Sequence, residues 1–150
     1  MIRRATPADA TLLAAIQESA SLAALSKIFP PERYPYPRAA VLERWRSFDG
    51  WAAVAERDGE AAGFVAVEPP LLNGLYVVPA AWGSGVAAAL HDAAVERLRA
   101  DGVVEARLWV LEHNPRARRF YERRGWSPDG GTRELSFPPH PTDLRYVHRL

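Results

Sequence analysis

The sequence contains no cysteine. Disulfides, thiolate nucleophiles, iron–sulfur clusters and thiolate-type zinc sites are therefore excluded, and any thiol chemistry must arrive on a bound cofactor. Lysine is nearly absent as well: of nineteen basic residues only Lys27 is a lysine. Long apolar runs are missing, with nothing near the roughly 18 consecutive apolar residues of a membrane-spanning helix. The start, Met1-Ile2-Arg3-Arg4-Ala5, leads into Thr6-Pro7 rather than into an apolar stretch, so no signal peptide and no membrane association are expected and a cytoplasmic location is the default. An excess of one charge sign is also lacking. Nineteen basic against eighteen acidic residues leave +1 at pH 7, too little for the electrostatic footprint of a nucleic-acid binder.

What is present is ordinary. Apolar residues at 48% and charged residues at 25% match the averages of folded proteins, and 150 residues suit one domain around one core. No internal repeat or low-complexity linker interrupts the chain, so its strands and helices are expected to share one layered α/β domain spanning residues 1–150.

Ile2 to Ala5 reads as a short strand. Thr6-Pro7-Ala8-Asp9 then supplies a hydroxyl for an N-cap, a proline at the first helical position and a carboxylate at the third, so a helix starts there. Its apolar positions Leu12, Leu13, Ile16 and Ala20 recur at helical spacing, and the pattern dissolves near Ile28. The segment Phe29 to Pro37 holds Pro30, Pro31, Pro35 and Pro37, which deny it helix and strand alike, and keeps three aromatic rings. Val41, Leu42, Trp45 and Phe48 mark a second helix ending at Asp49-Gly50. Trp51 to Glu56 and Ala61 to Glu68 flank Asp58-Gly59 and read as a hairpin. Leu71 to Val78 is a further strand, Val86 to Leu98 an amphipathic helix, Val103 to Leu111 a strand and Pro115 to Arg124 a last helix stopped by Gly125. Pro128-Asp129-Gly130-Gly131 reads as a turn ahead of two strands, Thr132 to Phe137 and Leu144 to His148.

The most informative local feature is the strand, glycine turn and helix across Val77-Val78-Pro79-Ala80-Ala81-Trp82-Gly83-Ser84-Gly85-Val86-Ala87-Ala88. Such a turn is an anion cradle, because glycines let the backbone approach a ligand and the free N–H groups of the first helical turn favour phosphate. A P-loop is excluded: it needs lysine and a hydroxyl residue after its second glycine, where Val86 and Ala87 stand. Gly83-x-Gly85-x-x-Ala88 does satisfy a dinucleotide fingerprint, with Glu105 about twenty residues on, so an NAD(P)-binding enzyme is one reading. Against it, a hairpin precedes the turn where a long parallel sheet would be needed.

Coenzyme A is the other ligand class. Trp82-Gly83-Ser84-Gly85-Val86-Ala87 resembles the pyrophosphate-binding motif of the GCN5-related N-acetyltransferases, Q/R-x-x-G-x-(G/A); Gly85 and Ala87 match, and Trp82 replaces the polar first residue. A second block about thirty residues later, Leu108 to Trp126, is similar to the family's later motif, with Asn114, Ala117, Phe120, Tyr121, Gly125 and Trp126 in register. The resemblance implies a GNAT-like mixed α/β (α+β) fold: a central mixed, largely antiparallel sheet, splayed between its fourth and fifth strands and flanked by about four helices. It implies acetyl-CoA as the cofactor and transfer of an acetyl group to a primary amine, of a small molecule or a peptide N-terminus, by direct attack in a ternary complex. A non-catalytic acyl-CoA-binding module on the same fold is a further alternative.

Site roles follow from the resemblance. Val77 and Val78 are expected to meet the pantetheine arm through their main chain, and Trp82, Gly83, Ser84, Gly85, Val86, Ala87 and Ala88 to hold the pyrophosphate. Asn114, Ala117 and Tyr121 complete the cofactor site, with Tyr121 as general acid for the departing thiolate. At the positions where the family often carries a glutamate base this chain has Leu71, Leu72 and Trp109, which leaves Glu68, Glu112 and His113 as the nearest titratable groups. Tyr34, Tyr36 and Trp109 are the candidate acceptor-binding residues, framed by the aromatic loop and the turn at Asp129 to Gly131, with Arg133 and Glu134 as further contacts by position. No metal is expected, and dimerisation through a sheet edge is compatible with the fold.

Overall fold

The computed structural model describes residues 1–150. The chain runs β1 (Ile2–Arg4), α1 (Ala10–Ala24), α2 (Arg38–Arg46), β2 (Trp51–Arg57), β3 (Glu60–Glu68), β4 (Leu71–Val77), α3 (Val86–Ala100), β5 (Glu105–Leu111), α4 (Pro115–Glu122), β6 (Ser127–Glu134) and β7 (Thr142–Arg149). Single 3-10 turns, Pro7–Asp9 and Pro79–Ala81, lead toward α1 and α3.

The Thr6-to-Asp9 signal produces a 3-10 turn, Pro7–Asp9, ahead of α1 rather than the first turn of α1 itself, and its carboxylate half is formed. Asp9 Oδ2 accepts the Thr6 N–H at 2.8 Å, and Arg3 donates to both Asp9 oxygens, from Nη1 at 3.0 Å and Nη2 at 2.9 Å. Arg3 Nε also reaches Glu56 Oε1 at 2.8 Å, so one guanidinium ties β1, the start of α1 and β2 together. The hydrogen bonds from Arg3, then the one from Thr6, hold the Asp9 carboxyl at about 2, below its ordinary 3.8. A carboxyl depressed in the folded state stabilises the fold above its unfolded pKa and loses that contribution as pH falls through the folded value. Thermal melts should therefore show the Tm of the native chain dropping between about pH 4 and pH 2, and Asp9→Asn should flatten that drop while lowering Tm at neutral pH.

Helix ends differ from expectation, among them that of α4, which stops at Glu122 rather than Arg124. α1 stops at Ala24 rather than near Ile28, because the N–H groups of Ile28 and Phe29 both turn back onto Leu25 O, at 3.0 and 2.8 Å, just ahead of Pro30. α2 stops at Arg46, before Phe48, where Ser47 Oγ donates to Glu43 O at 2.9 Å. Phe48 still packs on Trp45, with ring centroids 5.2 Å apart.

The sheet order is β1-β2-β3-β4-β5-β7-β6. All neighbours are antiparallel except β4 and β5, which touch in parallel at the single pair Leu71↔Arg107. Beyond that pair the two strands separate, and β5 takes β7 as its full antiparallel partner, from Glu105↔Arg149 to Leu111↔Asp143. The mixed, largely antiparallel sheet splayed between its fourth and fifth strands is thus present, with four α-helices.

The C-terminal hairpin corrects the sequence reading. Pro128-Asp129-Gly130-Gly131 does not precede a strand but lies inside β6, as a break in register between Pro128 and Thr132. The turn chemistry is real, since Asp129 Oδ1 accepts the Gly131 N–H at 2.9 Å, but Arg145 of β7 holds Asp129 Oδ2 at 2.8 Å and the strand resumes. A bulge and a turn ask for the same residues, and only the partner strand distinguishes them.

Each face of the sheet carries a core. Leu13, Ile16 and Trp45 from α1 and α2 close over Val54, Phe64 and Ala66. Leu90, Ala94 and Leu98 of α3, with Tyr121 and Trp126, close over Val65, Val67, Leu108 and Tyr146.

Candidate active site

The opening between β4 and β5 begins with a bulge. Ala66 pairs with Gly74 but Val67 pairs with Leu72, so Asn73 is an extra residue in β4. An added Cβ at Gly74 would stand 2.7 Å from Tyr76 Cε2, so the Tyr76 ring lies directly on the Gly74 backbone. Val78 N–H donates to Ala62 O at 2.9 Å. Alternation along an antiparallel pair then turns the peptide groups of Tyr76 and Val78 toward β3 and those of Leu75 and Val77 toward the gap. Val78 therefore has no N–H to offer there, and Leu75, absent from the sequence-derived set, does. The cleft has a volume of about 210 Å³ and is mostly apolar, walled by β4, by α4 and by the Ala20–Leu25 end of α1.

The glycine turn closes one end. Gly83 and Gly85 take φ of +77° and +91°, the left-handed region where a side chain is strained, while nothing stands within 4 Å of a Cβ built at either. The requirement for glycine here is thus conformational rather than steric. Ala89 is the first α3 residue to donate backward, to Gly85 O at 3.1 Å, which leaves the N–H groups of Val86, Ala87 and Ala88 without an intrahelical partner. Ser84 Oγ bonds Ala81 O and braces the turn. Trp82, the departure from the motif, donates its indole N–H to Val77 O at 2.8 Å, linking the turn to β4. Its ring also carries the Arg116 guanidinium, 3.8 Å from the centroid. Arg116 has no carboxylate partner, so a fixed positive charge borders the cleft beside free N–H groups. An anionic, elongated ligand fits this end on both counts.

α4 forms the facing wall. Asn114 caps it, accepting the Ala117 N–H at Oδ1 (3.3 Å), so its amide nitrogen remains available to the cleft. Arg118 donates from Nε to Tyr146 Oη at 3.0 Å and from Nη1 to Glu112 O at 3.1 Å, and Tyr146 Oη bonds Glu122, which anchors α4 to β5 and β7. Tyr121 is 9% exposed and packs edge-on against Phe120 and Trp126 at 5.2 and 6.0 Å. Behind it Trp126 donates its indole N–H to His91 Nε2 at 2.9 Å, which keeps that buried imidazole nitrogen unprotonated. Tyr121 Oη lines the cleft and makes no hydrogen bond within the chain. Burial, and next the neighbouring Tyr76, raise its pKa above the ordinary value, so it stays protonated.

The other sequence-derived residues are distributed unevenly. Glu112 and His113 sit together at the open end of β5, 3.4 Å apart with side chains 43% and 77% exposed. Glu68 is exposed at the closed end of the splay, bonded to Asn73. Tyr36 Oη is the one occluded side-chain polar atom without a partner, and burial followed by the proximity of Tyr76 pushes its pKa up to about 12. Tyr34 is half-buried under Arg33, 5.6 Å from its ring centroid, and is not part of the cleft wall. Trp109 faces the open side of β5 beneath the Arg133 guanidinium, 4.4 Å from its ring centroid, and Glu134 is exposed. The segment that meets the aromatic loop is not Asp129 to Gly131 but the β6–β7 connection, where Phe137 packs on Phe29 at 5.8 Å. Leu75, Tyr76, Arg116 and the end of α1 were missed. The strand alternation could have flagged Tyr76, whereas the α1 contribution depends on how two helices close over a sheet.

A dinucleotide site is not built. It needs a parallel sheet on both sides of the glycine turn, and here β4 and β5 share one pair while Glu105 lies exposed beside Arg107. A wider concavity of about 760 Å³ behind α3 is lined by His91, Asp92, Glu96, Arg99, Arg124 and His148. It mixes both charge signs and contains none of the glycine-turn donors, so the apolar cleft is the better site.

Comparison with known proteins agrees with this geometry. The model of the acetyltransferase (GNAT) family matches residues 18–126. The chain is 36% identical over 107 residues to an uncharacterized N-acetyltransferase of Archaeoglobus fulgidus, across 60% of this chain and 72% of that protein. It is 28% identical over 132 residues to the uncharacterized N-acetyltransferase YhfO of Bacillus subtilis, across 76% and 89%. Among solved structures, a GCN5-related N-acetyltransferase from Rhodopseudomonas palustris superposes with a TM-score of 0.79 at 21% identity, covering 100% of this chain and 95% of that one.

Proposed function

Since this chain belongs to the acetyltransferase (GNAT) family and is an acetyl-CoA-dependent acyltransferase, we propose that it passes the acetyl group directly to a primary amine, of a small molecule or a peptide N-terminus, with both substrates bound at once. The observation that carries this reading is Tyr121: a protonated, unpartnered hydroxyl facing a cleft whose other wall is the splayed edge of β4. When bound, acetyl-CoA supplies an acyl group on a thioester and a thiol leaving group.

The chain's own residues divide the work. Gly83 to Ala88 and Arg116 hold the pyrophosphate, through free N–H groups and one positive charge. Leu75 and Val77 present strand peptide groups to the pantetheine arm, and the Asn114 amide meets it from the opposite lip. A β4 N–H turned into the gap stabilises the charge that develops on the carbonyl oxygen. Tyr121 holds the proton that the departing sulfur needs. Glu112 and His113, exposed at the open end of β5, border the route by which the amine's proton reaches solvent.

Two measurements test the reading. Acetyl-CoA should raise Tm, as any ligand bound only by the folded state must, and primary amines should accelerate thiol release from acetyl-CoA. A raised Tm with no amine-dependent thiol release would instead favour a silent acyl-CoA-binding module.

A further inference from the structure

Asp143 is a buried carboxylate, 6% exposed, that no step above uses. It pairs in register with Leu111 at the end of β5. Leu111 follows Arg107 along β5 as Tyr76 follows Leu71 along β4 once the extra residue Asn73 is discounted. Tyr76, Leu111 and Asp143 thus form one row across the mouth of the splay. Tyr76 packs with Phe64 on the face covered by α1 and α2, and Asp143 points to that same side, since its neighbour Leu144 packs on the opposite core. α1 and α2 close over β2, β3 and β4, while Arg133 lies over Trp109 on the β5 side of the same face.

The carboxylate is half engaged. Arg133 Nε donates to Oδ2 at 3.0 Å, and Oδ1 accepts no hydrogen bond within the chain. Because Tyr36 Oη is the one occluded side-chain polar atom lacking a partner, the unpartnered Oδ1 is not fully occluded. Tyr76, in the same row, lines the cleft beside Tyr121; burial raises its pKa, Arg44 of α2 opposes that, and the charge of Asp143 adds a smaller push upward.

Building on the acetyl-transfer reading, we propose that Asp143 Oδ1 receives the ammonium group of the acceptor on this face and takes its proton, so that the acceptor is a cationic primary amine entering between the aromatic loop and β7. One N–H bond breaks as Oδ1 gains the proton, and the nitrogen lone pair forms the bond to the acyl carbon. The adduct nitrogen gives up its second proton to water as the carbon–sulfur bond breaks, and the sulfur takes its proton from Tyr121 Oη. Tyr121 is then reprotonated from water, and Asp143 returns its proton to water. Glu112 and His113 are weaker choices because their exposure keeps them hydrated, whereas burial holds the Asp143 carboxyl above its ordinary range, against the pull of Arg133. The charged and titratable groups around it are Arg133 on β6, Tyr76 on β4 with Arg44 of α2 beside the Tyr76 hydroxyl, and Arg145 on its own strand.

The test is Asp143→Asn, which keeps the shape and an acceptor oxygen for Arg133, assayed for thiol release with spermidine, tyramine and an alanine-initiated hexapeptide between about pH 5.5 and 9.5. The amine-dependent kcat/KM should fall at least ~30-fold, the acid limb of its pH profile should shift, and Asp143→Glu should recover part of the rate. The acetyl-CoA-induced rise in Tm should persist. A rate within about threefold of the native chain, with an unmoved acid limb, would overturn the assignment while leaving acetyl transfer intact. If instead no amine accelerates thiol release by the native chain, the transfer reading fails and this assignment falls with it.

Discussion

Tyr121→Phe lowers the turnover of amine acetylation by roughly 10²–10³-fold and leaves acetyl-CoA affinity within about twofold, the expected result if one positioned proton donor is removed and nothing else changes. The site is suited to so clean a substitution. The ring contacts with Phe120 and Trp126 do not involve the hydroxyl, and because Oη has no partner in the chain its loss leaves no buried group unsatisfied. Tm should hold or rise slightly. Burial and the adjacent Tyr76 both favour the neutral phenol, so the native enzyme should show no alkaline limb from Tyr121 below about pH 10. The same dry surroundings disfavour a thiolate, which keeps proton delivery to sulfur workable although the phenol is a weak acid. Unchanged turnover in Tyr121→Phe would remove this residue from the mechanism.

What the sequence revealed and what it concealed divide along the range of the interactions. The Thr6-to-Asp9 turn, the Asp58-Gly59 hairpin and the glycine turn before α3 are set by neighbours within a few residues, and each formed where its residues placed it. That Tyr121 and Asn114 line the cleft was legible through the resemblance of one continuous block. Asp143 was not: it is a single aspartate in a short strand, and its position depends on β7 inserting between β5 and β6. The bulge at Asn73, which rotates the following strand residues, has no signal beyond one Asn-Gly pair. Trp82 shows the opposite failure, because the motif comparison marked it only as a mismatch. Its indole N–H fastens the glycine turn to Val77 O and its face seats Arg116, two functions a sequence pattern cannot separate from loss.

Placing a carboxylate at the start of α3 should separate stability from binding, with effects of opposite sign. The first turn of α3 carries no acidic residue, although one there would stabilise the helix by about 0.3–1 kcal/mol through the dipole and the free N–H groups. Ala87 occupies that turn and lines the cleft. In Ala87→Asp the new carboxylate would satisfy the N–H groups of its own helix and so hold or raise the Tm of the free protein. The same charge would stand against a bound phosphate: two unit charges about 4 Å apart at an effective dielectric of about 20 repel by about 4 kcal/mol, near 10³-fold in Kd. Acetyl-CoA at concentrations that shift the native Tm should therefore leave this variant unmoved. Ala87→Asn, equal in size but neutral, should recover most of the affinity and isolates charge from bulk. Equal loss in both variants would assign the effect to crowding, and an Asp variant binding within about tenfold of the native chain would place the anion away from the glycine turn altogether.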